Sequence, residues 1–490
     1  MINEEVRGNE SVATRAANFE DRLNILNNKY IYVLLVLIGI GAFLRFYHLG
    51  YNSLWLDESL TYYNAKYSFI HMWNSIWNMT VSTEYNPPLF FWIEHIMLQF
   101  GTSESVLRFI PAIFGIATIP LVYVIGKEIS DKNVGVVAAA FVAFNPFHIY
   151  YSQEARVYTM MVFLVSLAFL FLMRGIKERN TASWVWLGIS SALAFWAHYY
   201  ALIPICIFFA FAYVYTWVRF RKVKQDFKRI SYGLLTFIIT GIPLFIVMVR
   251  TYFKMASTPP TWGYHGFKYV TDTLLQISAG NVYIMYFFLG LFCIGAVVLF
   301  RQDKGKFLLL LAFLLIPLAA TGYLSYKISL TSRYVLYLIP VYFICIAMSC
   351  KAVLSVIKTK YVVYGFTVMS MLLLIPYGIN YYHNFSKQDW RGAVGYLQEM
   401  AKPQDRVVLV PSYVHLPFDY YYNCKSEKVV EFQADTVDKL EQIRSSSENN
   451  SIYYVVTDNI YALNSKRDML NWLKKNTKLI SSYNEIRVYK

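Results

Sequence analysis

The chain has 490 residues, of which 57% are hydrophobic and 15% charged, and its formal net charge is +15. Because a soluble domain carries about 25% charged residues, this composition excludes an ordinary soluble protein and indicates a chain that crosses a membrane many times. The five cysteines show no CxxC or other ligand spacing, which argues against a zinc site or a disulfide framework.

Eleven apolar stretches have nearly the length that is needed to span a bilayer. They fall at about 31–48, 105–126, 133–150, 157–173, 183–198, 200–218, 231–250, 282–300, 307–324, 333–350 and 361–378. A twelfth run, 88–100, is shorter and is interrupted by Glu94 and His95. A polar segment precedes the first span, and no signal-peptidase cleavage site follows this span. We therefore expect the span to be a retained signal anchor, with a cytoplasmic tail over 1–29.

The basic residues of the loops predict the orientation of the spans. With eleven spans and the N-terminus inside, the basic loops lie inside, at 127–132, 174–179, 219–229, 301–306 and 351–360. A twelfth span would place every basic loop after the first one outside, against the positive-inside rule. The run 88–100 is therefore predicted to be an interfacial helix on the outer face. The positive charge follows membrane topology, so we expect no nucleic-acid partner.

Two long outer loops and a polar C-terminal region remain outside the spans. The segment 50–104 is predicted to be an outer loop with short amphipathic helices, and 251–281 a second one; loops this long are usually functional. From 381 onward predicted helices alternate with strands, at 387–400, 406–410, 436–445, 452–456, 466–475 and 485–489. We predict a membrane domain over 30–380 and a small α/β domain over 381–490 on the outer face, without a nucleotide-binding motif.

The acidic pair Asp57 and Glu58 follows the first span and lies beside Trp55, a residue typical of membrane interfaces. A carboxylate near low-dielectric surroundings has a tunable pKa and can accept a proton from a hydroxyl. The pair is therefore predicted to be catalytic, with Asp57 as the base and Glu58 in support. Solvated loop acids are the plainer alternative, because ionisable residues near a bilayer are enriched in functional sites without being diagnostic of them.

Arginines at the outer ends of spans are candidates for binding a phosphate or a sugar. Arg333 begins the tenth span on the side where the positive-inside rule disfavours it, and a guanidinium can hold a phosphate through two hydrogen bonds. Lys327 and Tyr334 could assist it. The alternative for Arg333 is an ordinary interfacial arginine, and Arg108 could likewise be an arginine that extends to the interface.

Two further outer turns carry polar residues. Glu154 and Arg156 lie in one of them and can face a sugar or a phosphate, with Arg156 as a further candidate ligand of the donor phosphate. An acid and a base this close can also simply pair with each other. His198 and Tyr199 lie in the other, where a lone histidine is more often an interfacial anchor. His265, in the loop 251–281, is a candidate for a metal or substrate contact.

Taken in order, these motifs resemble those of the GT-C glycosyltransferases, and most of all the bacterial protein-O-mannosyltransferase-like branch with the aminoarabinose transferases that modify lipid A. The resemblance covers about residues 30–350. It implies an integral-membrane enzyme that moves a sugar from a polyprenyl-phosphate carrier to an acceptor on the outer face. The motifs are Trp55-x-Asp57-Glu58, Asn86-Pro87-Pro88-Leu89, Gly101 with Arg108, Tyr151-Ser152-Gln153-Glu154-Ala155-Arg156-x-Tyr158, His198-Tyr199-Tyr200 and Ser332-Arg333-Tyr334.

The resemblance also implies roles for single residues. Asp57 matches the catalytic acid that acts as base toward the acceptor, Arg108 a structural or donor-positioning residue, and His198 a residue lining the sugar pocket. The family often has His or Glu where this chain has Asn86, so a metal or acceptor role at that position is in doubt and Glu84 is a substitute. A divalent metal ion is left open, with Glu84 and His265 as candidate ligands, and no cofactor is certain.

The sequence thus predicts an inverting hexosyl- or pentosyltransferase of the cytoplasmic membrane, with its active site and C-terminus outside. The acceptor could be a protein, a glycan or a lipid. The rival hypothesis is a transporter or flippase for a lipid-linked glycan. Transporters place ionisable residues near the bilayer midplane and often contain internal repeats, whereas the notable charges here lie at outer span ends and no two-half repeat is evident.

Overall fold

A bundle of membrane-type helices is followed by a small sheet domain. The computed structural model describes residues 29–79, 86–220, 223–257, 260, 263–357, 359, 361–384, 387–422, 429–447, 450–457 and 468–490. Residues 1–28 of the predicted tail over 1–29, and Glu84, lie outside these residues. A mostly helical protein with a small C-terminal α/β part confirms the predicted fold class.

Nine helical segments of the described chain are long and apolar enough to cross a membrane, judged by length and composition. They are α1 (Lys29–Phe46), α5 and α6 together (Glu104–Leu107 and Phe109–Ile129), α9 (Tyr158–Glu178), a 3₁₀ turn with α11 (Tyr199–Ala201 and Leu202–Arg219), α12 (Lys224–Ala256), α14 (Val282–Gln302), α15 (Lys304–Leu324), α16 (Leu338–Ile357) and α17 (Tyr361–His383). Helices α7 (Lys132–Phe144) and α8 (Pro146–Ser152), bent by 61°, make ten if they are counted as one span.

The eleventh predicted span corresponds to α10 (Thr181–Ala197), which has 17 residues. At 1.5 Å per residue this helix is about 26 Å long, somewhat less than the roughly 30 Å of a hydrocarbon core. Length and composition support nine spans, or ten with the bent pair α7 and α8; this pair and the short helix α10 account for the difference from about eleven predicted spans.

Three short helices occupy the segment 50–104, where short helices were predicted. They are α2 (Leu56–Ala65), α3 (Phe69–Asn78) and α4 (Leu89–Met97). Helix α4 has nine residues and is about 14 Å long, so it is too short to span a bilayer. Its His95 ring contacts the carbonyl oxygen of Ala65 at the end of α2, at 2.7 Å.

Helix α7 lies at the centre of the bundle, where every residue from Val134 to Phe144 is buried. A helix that is apolar on all sides is expected in such a place. A Cβ atom on Gly126 of α6 would lie 2.8 Å from the Cα of Gly135, so this pair of glycines lets α6 and α7 approach closely, as small residues do in membrane bundles.

The bend between α7 and α8 has a local cause. Pro146 has no backbone N–H to continue α7 and instead begins α8. Asn145 caps the new helix, because its Oδ1 accepts a hydrogen bond from the N–H of His148 at 2.9 Å. Its amide donates to the carbonyl oxygen of Ile277 at 2.8 Å. The predicted span 133–150 is therefore broken, and α8 carries the following residues into the site.

The C-terminal part holds a five-stranded sheet in the order β2-β1-β3-β5-β4. Strand β1 is parallel to β2 and β3, and β5 is antiparallel to β3 and β4. Helices cover both faces of it. The elements of this part are α18 (Trp390–Met400), β1 (Arg406–Val410), α19 (His415–Tyr421), β2 (Val430–Gln433), α20 (Val437–Ser445), β3 (Ile452–Thr457), α21 (Asp468–Asn476), β4 (Leu479–Tyr483) and β5 (Ile486–Tyr489). The remaining helix of the bundle is α13 (Phe267–Ile277).

The strands predicted at 406–410, 452–456 and 485–489 are present, whereas β2, β4 and α19 were not predicted. The helix predicted over 387–400 begins only at Trp390, because Asp389 is its N-cap and accepts a hydrogen bond from the N–H of Gly392 at 3.0 Å. Lys387 consequently lies before the helix.

Polar contacts dock the sheet domain on the segment 50–104. The Tyr421 hydroxyl accepts a hydrogen bond from the N–H of Leu54 and donates one to Glu104, both at 2.7 Å. Arg391 donates to the carbonyl oxygen of Gly50 at 3.0 Å. The loop that carries the acidic pair is thus held between the bundle and the sheet domain.

Candidate active site

The predicted base and the predicted phosphate ligand form an ion pair. Asp57 lies in the first turn of α2, and its Oδ2 is 2.8 Å from Nη2 of Arg333. Arg333 lies in the 3₁₀ turn Ser332–Val335 that precedes α16. The two side chains are 18% and 12% exposed, so they stay accessible to a substrate while neighbouring charges are buried.

Three aromatic rings surround the Arg333 guanidinium. Its Cζ is 5.4 Å from the ring centres of Trp55 and Tyr158, and 5.8 Å from that of Tyr334. Contacts of this kind stabilise a cation. The Arg333 Nε is buried and has no hydrogen-bond partner among the described residues. A buried donor of this type normally has a partner, and a bound anion would supply one.

Glu58 is fully buried and is held by several donors. Its carboxylate oxygens lie 2.7 and 2.8 Å from Nε and Nη2 of Arg108, and Oε1 accepts the N–H of Ala155 at 2.8 Å. The Nζ of Lys387 is 3.0 Å from Oε2. Burial opposes ionisation, but the charges of Arg108 and Lys387, with these hydrogen bonds, outweigh it and lower the pKa of Glu58 to about 2.

Arg108 was predicted to bind the substrate or to be a structural or donor-positioning residue, and its contacts favour a positioning role. Its remaining donors bind the carbonyl oxygens of Leu49, Asn52 and Ser53 at 2.9, 2.8 and 3.0 Å. With the two bonds to Glu58, all five guanidinium donors are used. Arg108 therefore fixes the loop that leads into α2 and has no donor left for a sugar or a phosphate.

Lys387, which belongs to the C-terminal part of the chain, contacts two buried carboxylates. Besides Glu58, its Nζ lies 3.6 Å from Glu154, whose carboxylate is fully buried. Neither Glu154 oxygen has a hydrogen-bond partner within the described chain. Burial raises the pKa of Glu154 and the positive charges of Lys387 and Arg333 counteract it in part. Sequence reasoning missed Lys387. The signal was its outer position after the last span, where the positive-inside rule disfavours a cation, the same argument that selected Arg333.

Arg156 contacts the backbone of the predicted base. Its Nη1 donates to the carbonyl oxygen of Asp57 at 3.1 Å and to Oγ1 of Thr61 at 3.3 Å. These bonds orient the first turn of α2. Arg156 thus lies beside the Asp57–Arg333 pair and supports the helix that carries Asp57. Its role as a ligand of the donor phosphate stays a prediction.

His198 and Tyr334 belong to the same aromatic group. The Tyr334 ring stacks on Tyr200 with centres 5.2 Å apart, and the His198 ring is 5.4 Å from Tyr334. Burial, together with the positive charges of Arg156 and Arg333, lowers the pKa of His198 to about 3, so its ring is neutral. Tyr199 instead packs against Phe195, at 6.0 Å.

Three other predicted site residues lie in segments that connect helices. Lys327 is exposed on the turn after α15. His265 contacts the carbonyl oxygen of Ser325 through Nδ1 at 2.6 Å, and Asn86 lies half-buried ahead of α4. Across the described chain, no group of three or more His, Cys, Asp and Glu side chains is placed to hold a metal ion; Glu84 is outside that part.

Because the folded protein stabilises the charged form of Glu58, we predict that acid lowers the stability of the fold. Because the folded pKa lies below the ordinary value of 4.5, the unfolded chain binds more protons between about pH 4.5 and 2, and the stabilisation is lost as the pH falls through this window. We expect the thermal unfolding temperature in detergent to fall from pH 6 to pH 3. In Glu58→Gln the fall should be smaller; an equal fall in both proteins would contradict this assignment.

Solved structures with the same fold bind lipid phosphates. ArnT from Cupriavidus metallidurans in the apo state superposes with a TM-score of 0.60 at 13% identity, over 97% of this chain and 98% of that one. ArnT bound to undecaprenyl phosphate gives 0.60 at 12% identity, over 94% and 97%. AglB, the oligosaccharyltransferase of Archaeoglobus fulgidus, in complex with an inhibitory peptide and a dolichol-phosphate, gives 0.54 at 14% identity, over 93% and 74%.

Sequence comparison agrees with the fold. Residues 85–248 match the dolichyl-phosphate-mannose-protein mannosyltransferase family. An uncharacterized protein of Aquifex aeolicus (strain VF5) is 28% identical over 167 residues, and this match spans about a third of each chain, 33% in both. Fold and family match together confirm the resemblance to the GT-C membrane glycosyltransferases. The overall fold is similar to that of ArnT, and the segment 85–248 is similar to the mannosyltransferase family.

Proposed function

We propose that this protein transfers a sugar from a polyprenyl-phosphate carrier to an acceptor on the outer face of the cytoplasmic membrane. The ion pair between Asp57 and Arg333 carries the proposal. It combines a carboxylate that can accept a proton with a cation that can bind a phosphate, 2.8 Å apart at one end of the bundle. The similarity to ArnT, which was solved with undecaprenyl phosphate, supports a lipid-linked donor.

The two residues fit a single displacement with inversion. Asp57 accepts the proton of an acceptor hydroxyl as the acceptor oxygen attacks the anomeric carbon. The bond from that carbon to the phosphate oxygen breaks, and Arg333 stabilises the charge of the departing phosphate. Without substrate, the two groups neutralise each other. The donor phosphate then competes with Asp57 for Arg333 and releases the carboxylate as the base.

The orientation in the membrane follows from loop charge. The loops at 127–132, 174–179, 219–229, 301–306 and 351–360 are basic. The positive-inside rule therefore supports an orientation in which these loops face the cytoplasm and the Asp57–Arg333 end of the bundle faces outside. We assign 30–380 to the membrane domain and 381–490 to an extracytoplasmic domain that docks beside the site. The sugar can be a hexose or a pentose, and the acceptor a protein, a glycan or a lipid.

A transfer assay in proteoliposomes tests the proposal. We expect the purified protein to consume a radiolabelled polyprenyl-phosphate sugar and to form a labelled acceptor product. Movement of the labelled lipid between leaflets without consumption of it would instead support the flippase alternative. A cysteine-accessibility map that places residue 57 in the cytoplasm would contradict the orientation.

Arg333→Ala should weaken binding of undecaprenyl phosphate by about 10- to 100-fold, since hydrogen bonds to charged groups contribute roughly 1.5–3 kcal/mol. Binding can be measured with the protein in nanodiscs. Arg301→Ala is the matched control, because Arg301 is exposed at the opposite end of the bundle. Equal affinity in the Arg333 variant and the wild type would rule out Arg333 as the phosphate ligand.

A further inference from the structure

An open cleft of about 430 Å³ lies next to Arg333. It is bounded by α8, α13, the outer end of α17 and the residues Thr331 and Ser332, which directly precede Arg333. Its volume falls in the range of about 300–1,000 Å³ that is typical of small-molecule sites. Its lining residue Tyr151 also contacts the aromatic residues around Arg333, because the Tyr151 ring is 5.2 Å from that of Tyr158.

The walls of the cleft combine aromatic rings with hydrogen-bonding groups. Tyr151, Tyr377 and Tyr381 supply ring surface, and Asp272 and Gln276 supply polar atoms on one face of α13. A sugar ring has the complementary surface, because its C–H groups can pack on the negative face of an aromatic ring while its hydroxyls require donors and acceptors around the rim.

The hydroxyl of one lining residue has no hydrogen-bond partner among the described residues. This is the Oγ1 of Thr331, which is buried. Buried polar atoms are normally paired, so Thr331 is placed to bond a ligand hydroxyl. It lies two residues before Arg333, within the reach of a sugar whose phosphate is bound there.

The cleft has a negative electrostatic character. Of the described residues that line it, Asp272 is the charged one, and no Lys, Arg or His is among them. The Asp272 carboxylate accepts a hydrogen bond from the Ser332 hydroxyl and lies 3.5 Å from the Gln276 amide. A ligand carboxylate in this cleft would meet a like charge with no cation to pair with it, which is unfavourable in partly desolvated surroundings.

We infer that this cleft is the subsite for the sugar ring of the donor, and that it selects a sugar without an acidic group. This inference rests on the proposed function, because it assumes that Arg333 holds the donor phosphate. The sugar then occupies the cleft, with its anomeric carbon between the phosphate and Asp57. Asp272 rejects uronic acids, and Gln276 and Thr331 bond the ring hydroxyls.

Binding by the full chain in nanodiscs tests this with three kinds of probe. These are undecaprenyl phosphate alone, the same carrier with glucose, mannose or arabinose, and the carrier with glucuronic acid. We expect at least one neutral sugar to increase the affinity about 10-fold over the bare carrier, and glucuronic acid to give no increase. Asp272→Asn should reduce the preference for neutral over acidic sugar about 10-fold, whereas Asp438→Asn, on an exposed position of α20, should leave it unchanged.

The outcomes distinguish a failure of the proposed sugar subsite from a failure of the proposed function. If the bare carrier binds but no neutral sugar adds affinity, the subsite is wrong and the proposed function stands. If the carrier does not bind at all, the proposed function fails. Gln276→Leu provides a second test where Asp272→Asn does not fold: it should lower affinity for the sugar-loaded carrier and leave that for the bare carrier unchanged. A change in acceptor KM alone would assign the cleft to the acceptor and overturn the inference.

Discussion

Replacing Asp57 by asparagine should lower the rate of sugar transfer by about 10²–10⁴-fold, the range expected when a general base is removed. Asparagine has nearly the same shape as aspartate but cannot accept the acceptor proton. The backbone of Asp57 is held by Arg156 at 3.1 Å, so the helix should keep its position. The measurement is the initial rate of transfer from a radiolabelled polyprenyl-phosphate sugar at saturating donor.

Donor binding by the same variant separates catalysis from folding. In the wild type the Asp57 carboxylate occupies Arg333, and the donor phosphate must displace it. Asp57→Asn removes this competitor, so undecaprenyl phosphate should bind as tightly as to the wild type, or more tightly. Asp438→Asn serves again as the surface control. Transfer at the wild-type rate by Asp57→Asn would exclude Asp57 as the base.

The membrane fold and the placement of Asp57 and Arg333 at one end of the bundle could be predicted, because their causes are local or follow a simple rule. Apolar runs of spanning length mark helices such as α9 and α14 wherever they occur. The positions of Asp57 and Arg333 in the chain, each next to a span on the predicted outer side, indicated one end of the bundle for both. Their direct contact was not predicted and is seen only in the structure.

Other parts depend on contacts that no local pattern records. Glu58 was expected only to assist Asp57, but it is buried because Arg108 and Lys387 reach it from distant positions. Strand β2 has four residues, none of them buried, and β4 has partly exposed residues, so neither shows the apolar run of a buried strand such as β1. The break at Pro146 could have been predicted from the proline alone, but its neighbours are so apolar that they suggested a continuous span.

Lys387→Met should destabilise the protein by roughly 3–5 kcal/mol, the cost of removing one partner from a buried ion pair. Glu58 would keep Arg108, but Glu154 would lose the cation that lies 3.6 Å away and would remain buried without a hydrogen bond. We expect a clear fall in the thermal unfolding temperature in detergent at pH 7. Lys402→Met, at an exposed position of the same domain, should have little effect.

A double variant tests whether Glu154 is the reason for the loss. In Lys387→Met with Glu154→Gln, both members of the pair are neutral, so much of the lost stability should return and the two changes should be non-additive. If the double variant is as unstable as Lys387→Met, the loss comes from Glu58 or from packing. Recovery would show that Lys387, just after the last span, neutralises the carboxylate of Glu154 in the bundle. An intact site would then require the sheet domain to be docked.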